Sequence, residues 1–232
     1  TSLPRLDTLL KKAESRNLIA SGERGRQSLQ GNVVALAFLD RLLADHPGLL
    51  NKPDGKQVEL VVNSVDPELF PLLEELLPAG ASTLNFVDYT ARRVDQNDQY
   101  LARIPTDKVS AQFITTLADD NVGTLSQLTT RRLESVINKI RQNGWDGFST
   151  RYWMLAELDP AVHYLSRASW DAEVTARSAH DELFTAITGK QSASDRLWLA
   201  MGHIEAATEL VDQHELGFCF PVKGMFMKHH QA

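Results

Sequence analysis

Residues 111–121, AQFITTLADDN, decide how this chain is read. Gln112-Phe113-Ile114-Thr115-Thr116-Leu117 is an apolar, β-branched run with the length of a buried strand. It passes directly into two carboxylates, Asp119 and Asp120, and an amide, Asn121. In proteins that alternate strand and helix, functional groups gather where a strand gives way to its following turn. The same arrangement recurs along the chain. NSVD (63–66) follows the run at 58–62, NFVD (85–88) closes a run begun at 82, and RYW (151–153) closes one begun at 147. Four strands with polar tips, each followed by helical sequence, predict βαβ units, a parallel sheet and right-handed crossovers.

The remaining segments are placed around those strands. Residues 4–17 set Leu6, Leu9, Leu10 and Ala13 on one face of an amphipathic helix. Residues 21–32, SGERGRQSLQGN, read as a glycine-bearing polar loop leading into a helix over 33–45. The first strand is expected at 57–62, and a helix from Asp66-Pro67 through Leu77. The second strand follows at 82–87, and a loop with a short helix over 90–104. The third strand spans 109–117. A helix over 125–143 buries Leu133, Val136, Ile137 and Ile140 and ends at Asn143-Gly144. The fourth strand lies at 145–152. Beyond residue 155 the pattern is helical only, over 160–168, 174–188 and 194–212, with Gly189 and Gly202 tolerated inside it.

Composition excludes several classes. With 24 Lys and Arg against 30 Asp and Glu, the net charge is −6, and no basic stripe exists to neutralise phosphates. A general nucleic-acid binder is therefore not expected. No run reaches the roughly 18–20 apolar residues of a membrane span. The single cysteine, Cys219, excludes an internal disulfide and leaves the redox compartment open. The chain opens at Thr1 without methionine, and residues 217–232 are apolar and aromatic, as in the middle of a protein. These ends predict a piece of a longer chain, secreted or periplasmic if the parent carries a signal peptide and cytoplasmic otherwise.

The strand tips supply the candidate chemistry. Asp88, Asp119 and Asp120 are the candidate catalytic acids; Asn63, Tyr89, Asn121, Arg151 and Trp153 lie beside them in sequence as candidate binding groups. Glycoside hydrolysis asks for such a set: two carboxyl groups roughly 5–10 Å apart and rings on which a sugar face stacks. One acid must keep its proton near neutral pH, through burial or a like charge. Asp88 serves equally well as a helix N-cap, and Asp66 before Pro67 reads as a helix start. Two adjacent acids on one turn cannot face the same way, which argues against a metal pair at Asp119-Asp120. Glu23 and Arg26 in the polar loop could bind a hydroxylated or anionic ligand, although the loop lacks the spacing of a phosphate-binding P-loop. The histidines show no metal-ligand spacing, and no cofactor is implied. Trp170, Trp198, Phe218 and Phe220 are expected in the core of the helical region rather than as a sugar platform.

ADDNVGTLSQL, followed by NGWDGFSTRYWMLAELDPAVHYLSRASWD, resembles the last two strand–helix units of carbohydrate-active (β/α)8 barrels, α-glucuronidase-like and hexosaminidase-like glycoside hydrolases. SGERGRQSLQGNVVALAFLDRLLADHP resembles the segment before their fifth strand. The resemblance implies strands five to eight over 57–62, 83–87, 111–117 and 147–152. A closed barrel of this type takes about 250 residues. Residues 1–170 would thus be the C-terminal part of a TIM-type barrel, about four parallel βα units, and 171–232 a helical C-terminal region. The missing half would lie in the same longer chain or in an oligomeric partner. By implication the substrate is a carbohydrate, with Asp88, Asp119, Asp120, Arg151 and Trp153 lining its site. The competing expectations are a non-catalytic sugar-binding or scaffold protein with a degenerate barrel, and an unrelated α/β binding protein with an open sheet.

Overall fold

The computed structural model describes residues 8, 11, 23–63, 65–88, 90–117, 128–151 and 158–214. Among them the elements are α1 (Glu23–Asp45), β1 (Val61–Asn63), a 3₁₀ helix (Pro67–Leu72) continuing as α2 (Leu73–Leu76), β2 (Ser82–Phe86), α3 (Ala91–Gln96), a 3₁₀ turn (Asp98–Tyr100), β3 (Ala111–Thr116), α4 (Thr130–Gln142), β4 (Gly147–Arg151), α5 (Asp159–Ala168), α6 (Ala176–Thr188) and α7 (Gln191–Gln213). The protein is mixed α/β, and its four strands form one parallel sheet in chain order, β1-β2-β3-β4. Val61, Val62 and Asn63 pair with Ser82, Thr83 and Leu84. Two compact units are formed, Thr1–Val87 with Gln99–Phe113 and Arg141–Gly147, and Asp88–Asp98 with Ile114–Ile140 and Phe148–Ala232.

The first unit is held by Trp145. Its ring stands edge-on to Phe70 at 6.2 Å and to Phe113 at 6.0 Å, and its Nε1–H donates to the Leu101 carbonyl at 2.9 Å. Such edge contacts add to simple burial. Asp146 fixes the neighbouring backbone twice. Its N–H donates to the Ala111 carbonyl at 2.9 Å, and its Oδ2 accepts from the Ala111 N–H at 3.0 Å. Gly144 makes the preceding turn with φ +73°, and a Cβ there would meet Thr106 Oγ1 at 2.9 Å. That hydroxyl donates to the Asn143 carbonyl at 2.8 Å. Only glycine satisfies both the left-handed backbone and the close approach.

The second unit contains α3 to α7. The expected stripe of Leu133, Val136, Ile137 and Ile140 is buried on α4. The opposite side of α4 is tied to α3 by charge: Asp95 accepts from Lys139 at 2.8 Å, Ser135 at 2.7 Å and Arg132 at 2.9 Å. Burial opposes ionisation of Asp95, but these donors outweigh it and hold its carboxyl below the usual range. Glu134 of α4 accepts from the Ala176 N–H at 2.8 Å at the start of α6. There Thr175 and Ser178 also form a capping box.

Four expectations are corrected. Residues 23–32 are helical rather than a loop, because α1 begins at Glu23. Val33 and Leu36 are buried and anchor the helix, and once it is nucleated each added residue costs little, Gly25 and Gly31 included. The first strand is three residues long and begins at Val61, not Gln57. Residues 57 and 58 pair instead with Asn51 and Leu50, the Val58 N–H donating to the Leu50 carbonyl at 2.7 Å. Gly189 ends α6 as a left-handed cap with φ 67°. Trp170 is 68% exposed under the Arg167 guanidinium, and Trp198 is half-buried between Arg131 and Arg177, so neither is simple core. Of the helix expected over 4–17, only Thr8 and Lys11 are described, both helical and exposed. Phe218 and Phe220 lie outside the described residues.

Trp145→Phe keeps the ring contacts and leaves the Leu101 carbonyl without its donor. The expected cost is about 1–3 kcal/mol of unfolding free energy in urea. Phe113→Ala, which opens a cavity beside the same ring, is expected to cost about 3–5 kcal/mol.

Candidate functional site

Four residues beyond β1 the chain turns into the 3₁₀ helix at Pro67, whose fixed φ suits a first helical position. Asp66 stands at the N-cap but makes no capping bond with its side chain. Its carboxyl is hydrogen-bonded to Glu68 instead, and its N–H donates to Asn32 Oδ1 at 3.3 Å. A hydrogen bond between two carboxyl groups requires a proton on one of them. That bond is the largest cause lifting Glu68, followed by burial and by the Asp66 charge; its own backbone N–H and Arg103 work against them. Together they push Glu68 up to about 7. Tyr100 stands in the same neighbourhood, its phenol raised by burial and then by the Glu68 charge, with the Arg103 guanidinium 4.7 Å over its ring.

This group can donate a proton near neutral pH and take it back. It cannot supply both carboxyl roles of glycoside hydrolysis, because those stand at least about 5 Å apart and these two share a hydrogen bond. On β2 the fully buried Thr83 and Asn85 continue the polar theme. The Thr83 hydroxyl lies 3.1 Å from the Val62 carbonyl and 3.0 Å from Asn85 Oδ1. Asn85 Nδ2 is buried without a hydrogen-bond partner among the described residues, a donor left for water or ligand.

In the second unit a cavity of about 340 Å³ is lined by Leu128, Thr129, Arg131, Arg132, Gly202, Glu205, Ala206 and Glu209. Glu205 of α7 accepts from the Arg131 N–H at 3.3 Å, so a carboxylate of this chain already occupies the start of α4. Burial raises its pKa, and Arg131 opposes the rise. The Arg131 guanidinium lies 4.2 Å over Trp198 and 3.4 Å from Glu205, while Arg132 pairs with Asp95 and Glu209 at 2.9 and 2.7 Å. Both arginines lining the cavity are thus committed to acids. Among the described residues no group of three or more His, Cys, Asp or Glu could hold a metal ion.

Of the residues singled out in sequence, Asn63 ends β1 and is exposed. Asp88 follows β2 by two residues and is half-buried. It does not cap α3, since Thr90 does, accepting from the Arg93 N–H at 3.2 Å. Arg151 is the last residue of β4, and Glu23 and Arg26 lie in the first turns of α1; their side chains are outside the described set. Asp119, Asp120, Asn121, Tyr89 and Trp153 lie outside the described residues.

Comparison with protein families, with curated proteins and with solved structures finds no match to this chain. Glu68 and Asn85 are the two that sequence reasoning passed over. Asp66-Pro67-Glu68 has the form of an ordinary helix start, which hides the pair. Asn85 carried a readable signal, being the one amide inside the otherwise strand-forming STLNFV.

Carbon-detected titration should place the Glu68 carboxyl midpoint near 7, and Asp66→Asn should lower it, because the shared proton and the like charge are both removed. Folded Glu68 holds its proton to higher pH than the unfolded chain does. Its contribution to stability is therefore full below the ordinary glutamate pKa and is lost as pH rises through about 7. In Glu68→Gln that fall in melting temperature should be reduced.

Proposed function

We propose that the chain is part of a glycoside hydrolase built on a (β/α)8 barrel and contributes its last four βα units. The observation that carries this reading is the strand order. In doubly wound sheets the order reverses at a switch point, whereas in a barrel each strand adds beside the one before it. Here four parallel strands follow chain order without reversal. Barrel chemistry sits at the C-terminal strand ends. Acids recur there in this sequence: Asp66 and Glu68 after β1, Asp88 after β2, Asp119 and Asp120 after β3.

Hydrolysis of a glycosidic bond needs one carboxyl protonated and one ionised near neutral pH. Glu68, held up to about 7, supports the view that a strand-end acid of this sheet can keep its proton under working conditions. The catalytic roles are assigned to Asp119, Asp120 and Asp88. Arg151, Trp153, Tyr89 and Asn121 are assigned to the sugar, through hydrogen bonds and ring stacking. The substrate class is an oligosaccharide or polysaccharide.

Asp119→Asn, Asp120→Asn and Asp88→Asn test the assignment in the full protein, with chromogenic uronide and N-acetylhexosaminide substrates. Loss of one proton-transfer group should lower kcat by about 10²–10⁴ in at least one variant, with the circular dichroism melt unchanged. Undiminished turnover in all three would remove these acids from the mechanism. Saccharide binding without product in the parent protein would favour a binding module instead.

A further inference from the structure

Gly202 stands inside α7, where a glycine costs about 1 kcal/mol against alanine. Its neighbour explains it. A Cβ on residue 202 would meet the Arg131 guanidinium, Nη1 at 2.8 Å and Nη2 at 3.0 Å. The bare backbone lets that guanidinium lie close against α7, 4.2 Å over Trp198 and 3.4 Å from Glu205. Beside it the space stays open. The cavity of about 340 Å³ that Gly202 and Arg131 share with Arg132, Glu205, Ala206 and Glu209 falls within the roughly 300–1,000 Å³ of small-molecule sites. Its whole lining belongs to the second unit.

The charges of this lining select the ligand. Two guanidiniums balance two carboxylates, so an anion is drawn to the arginines and repelled by the glutamates, and a cation meets the reverse. Asp95, which also holds Arg132, is matched by Lys139. A guanidinium carries more N–H donors, and a carboxylate more acceptor positions, than the pairs Arg131–Glu205 and Arg132–Glu209 consume. A hydroxyl both donates and accepts. A ligand with neighbouring hydroxyls can therefore accept from an arginine and donate to a glutamate without separating either pair. Leu128 and Ala206 add apolar contact for its C–H groups.

We propose that this cavity binds a neutral, polyhydroxylated ligand, a sugar unit held by Arg131 and Arg132 as donors and by Glu205 and Glu209 as acceptors. Taking a sugar among such ligands rests on the hydrolase reading above; the charge balance and the glycine do not.

Calorimetry on the full chain with glucose, galactose, mannose, xylose and N-acetylglucosamine tests this, with glucuronate and inorganic phosphate as charged comparators. At least one neutral sugar should bind saturably with Kd below about 10 mM, and neither anion should bind more tightly. Ala206→Leu fills the space from an exposed helix position without removing either ion pair. Gly202→Ala forces the Arg131 guanidinium to move while raising helix propensity. Each variant should weaken binding at least about tenfold, with the circular dichroism melt unchanged or raised. Absence of binding by every neutral sugar would overturn the proposal, as would preference for an anion or binding that both variants leave intact. Sugar bound here with no hydrolysis by the parent protein would keep this site and remove the hydrolase reading. Hydrolysis together with binding indifferent to both variants would do the reverse.

Discussion

The first unit depends on one short stretch, residues 143–146, locking onto the segment that ends at Ala111. Asp146 exchanges hydrogen bonds with Ala111 through both backbone and carboxyl, and this fixes where β4 starts relative to β3. A one-residue slip would turn every side chain of a strand to the opposite face. Trp145 enforces the same register from the core side, since its indole reaches Leu101, Phe70 and Phe113 together. Gly144 makes the stretch possible, as no larger residue could sit against Thr106.

In the second unit charge pairing is added to the apolar contact made by Leu133, Val136, Ile137 and Ile140 of α4. α4 is gripped by Asp95 on one side and by Glu205 and Glu209 of α7 on another, and it lends Glu134 to the start of α6. Partly buried pairs of this kind gain from mutual hydrogen bonding but suffer when one partner is removed. They also leave the outer face of α7 between Leu199 and Leu210 apolar apart from His203. The electrostatics of α4 and the exposed stripe of α7 are thus two aspects of one arrangement.

Much of the architecture was legible in the sequence. The strands at 82–86 and 111–116 and the amphipathic α4 announced themselves by periodicity, because each buries one continuous apolar set. What misled was punctuation. Gly25 and Gly31 suggested a loop where helix propagation carried through, and Gly189 was passed over where a left-handed cap was needed. The strand expected at 57–62 lost its first residues to a local pairing that β propensity cannot foresee. Asp66 and Glu68 stayed hidden because Asp66-Pro67-Glu68 has the form of an ordinary helix start. The tips at Asp119, Asp120 and Trp153 were readable as chemistry but not as geometry, since spacing along a chain says nothing of where a side chain points.

A sheet of consecutive parallel strands followed in sequence by acids, one of them, Glu68, pushed up to about 7, is what supports the functional reading. Its central claim is that water is added across a glycosidic bond. The most direct measurement is mass spectrometry of products formed in ¹⁸O-enriched water by the full protein acting on an oligosaccharide. The account predicts one heavy oxygen at the newly formed reducing end. Recovery of intact oligosaccharide under conditions where calorimetry shows it bound would contradict hydrolysis.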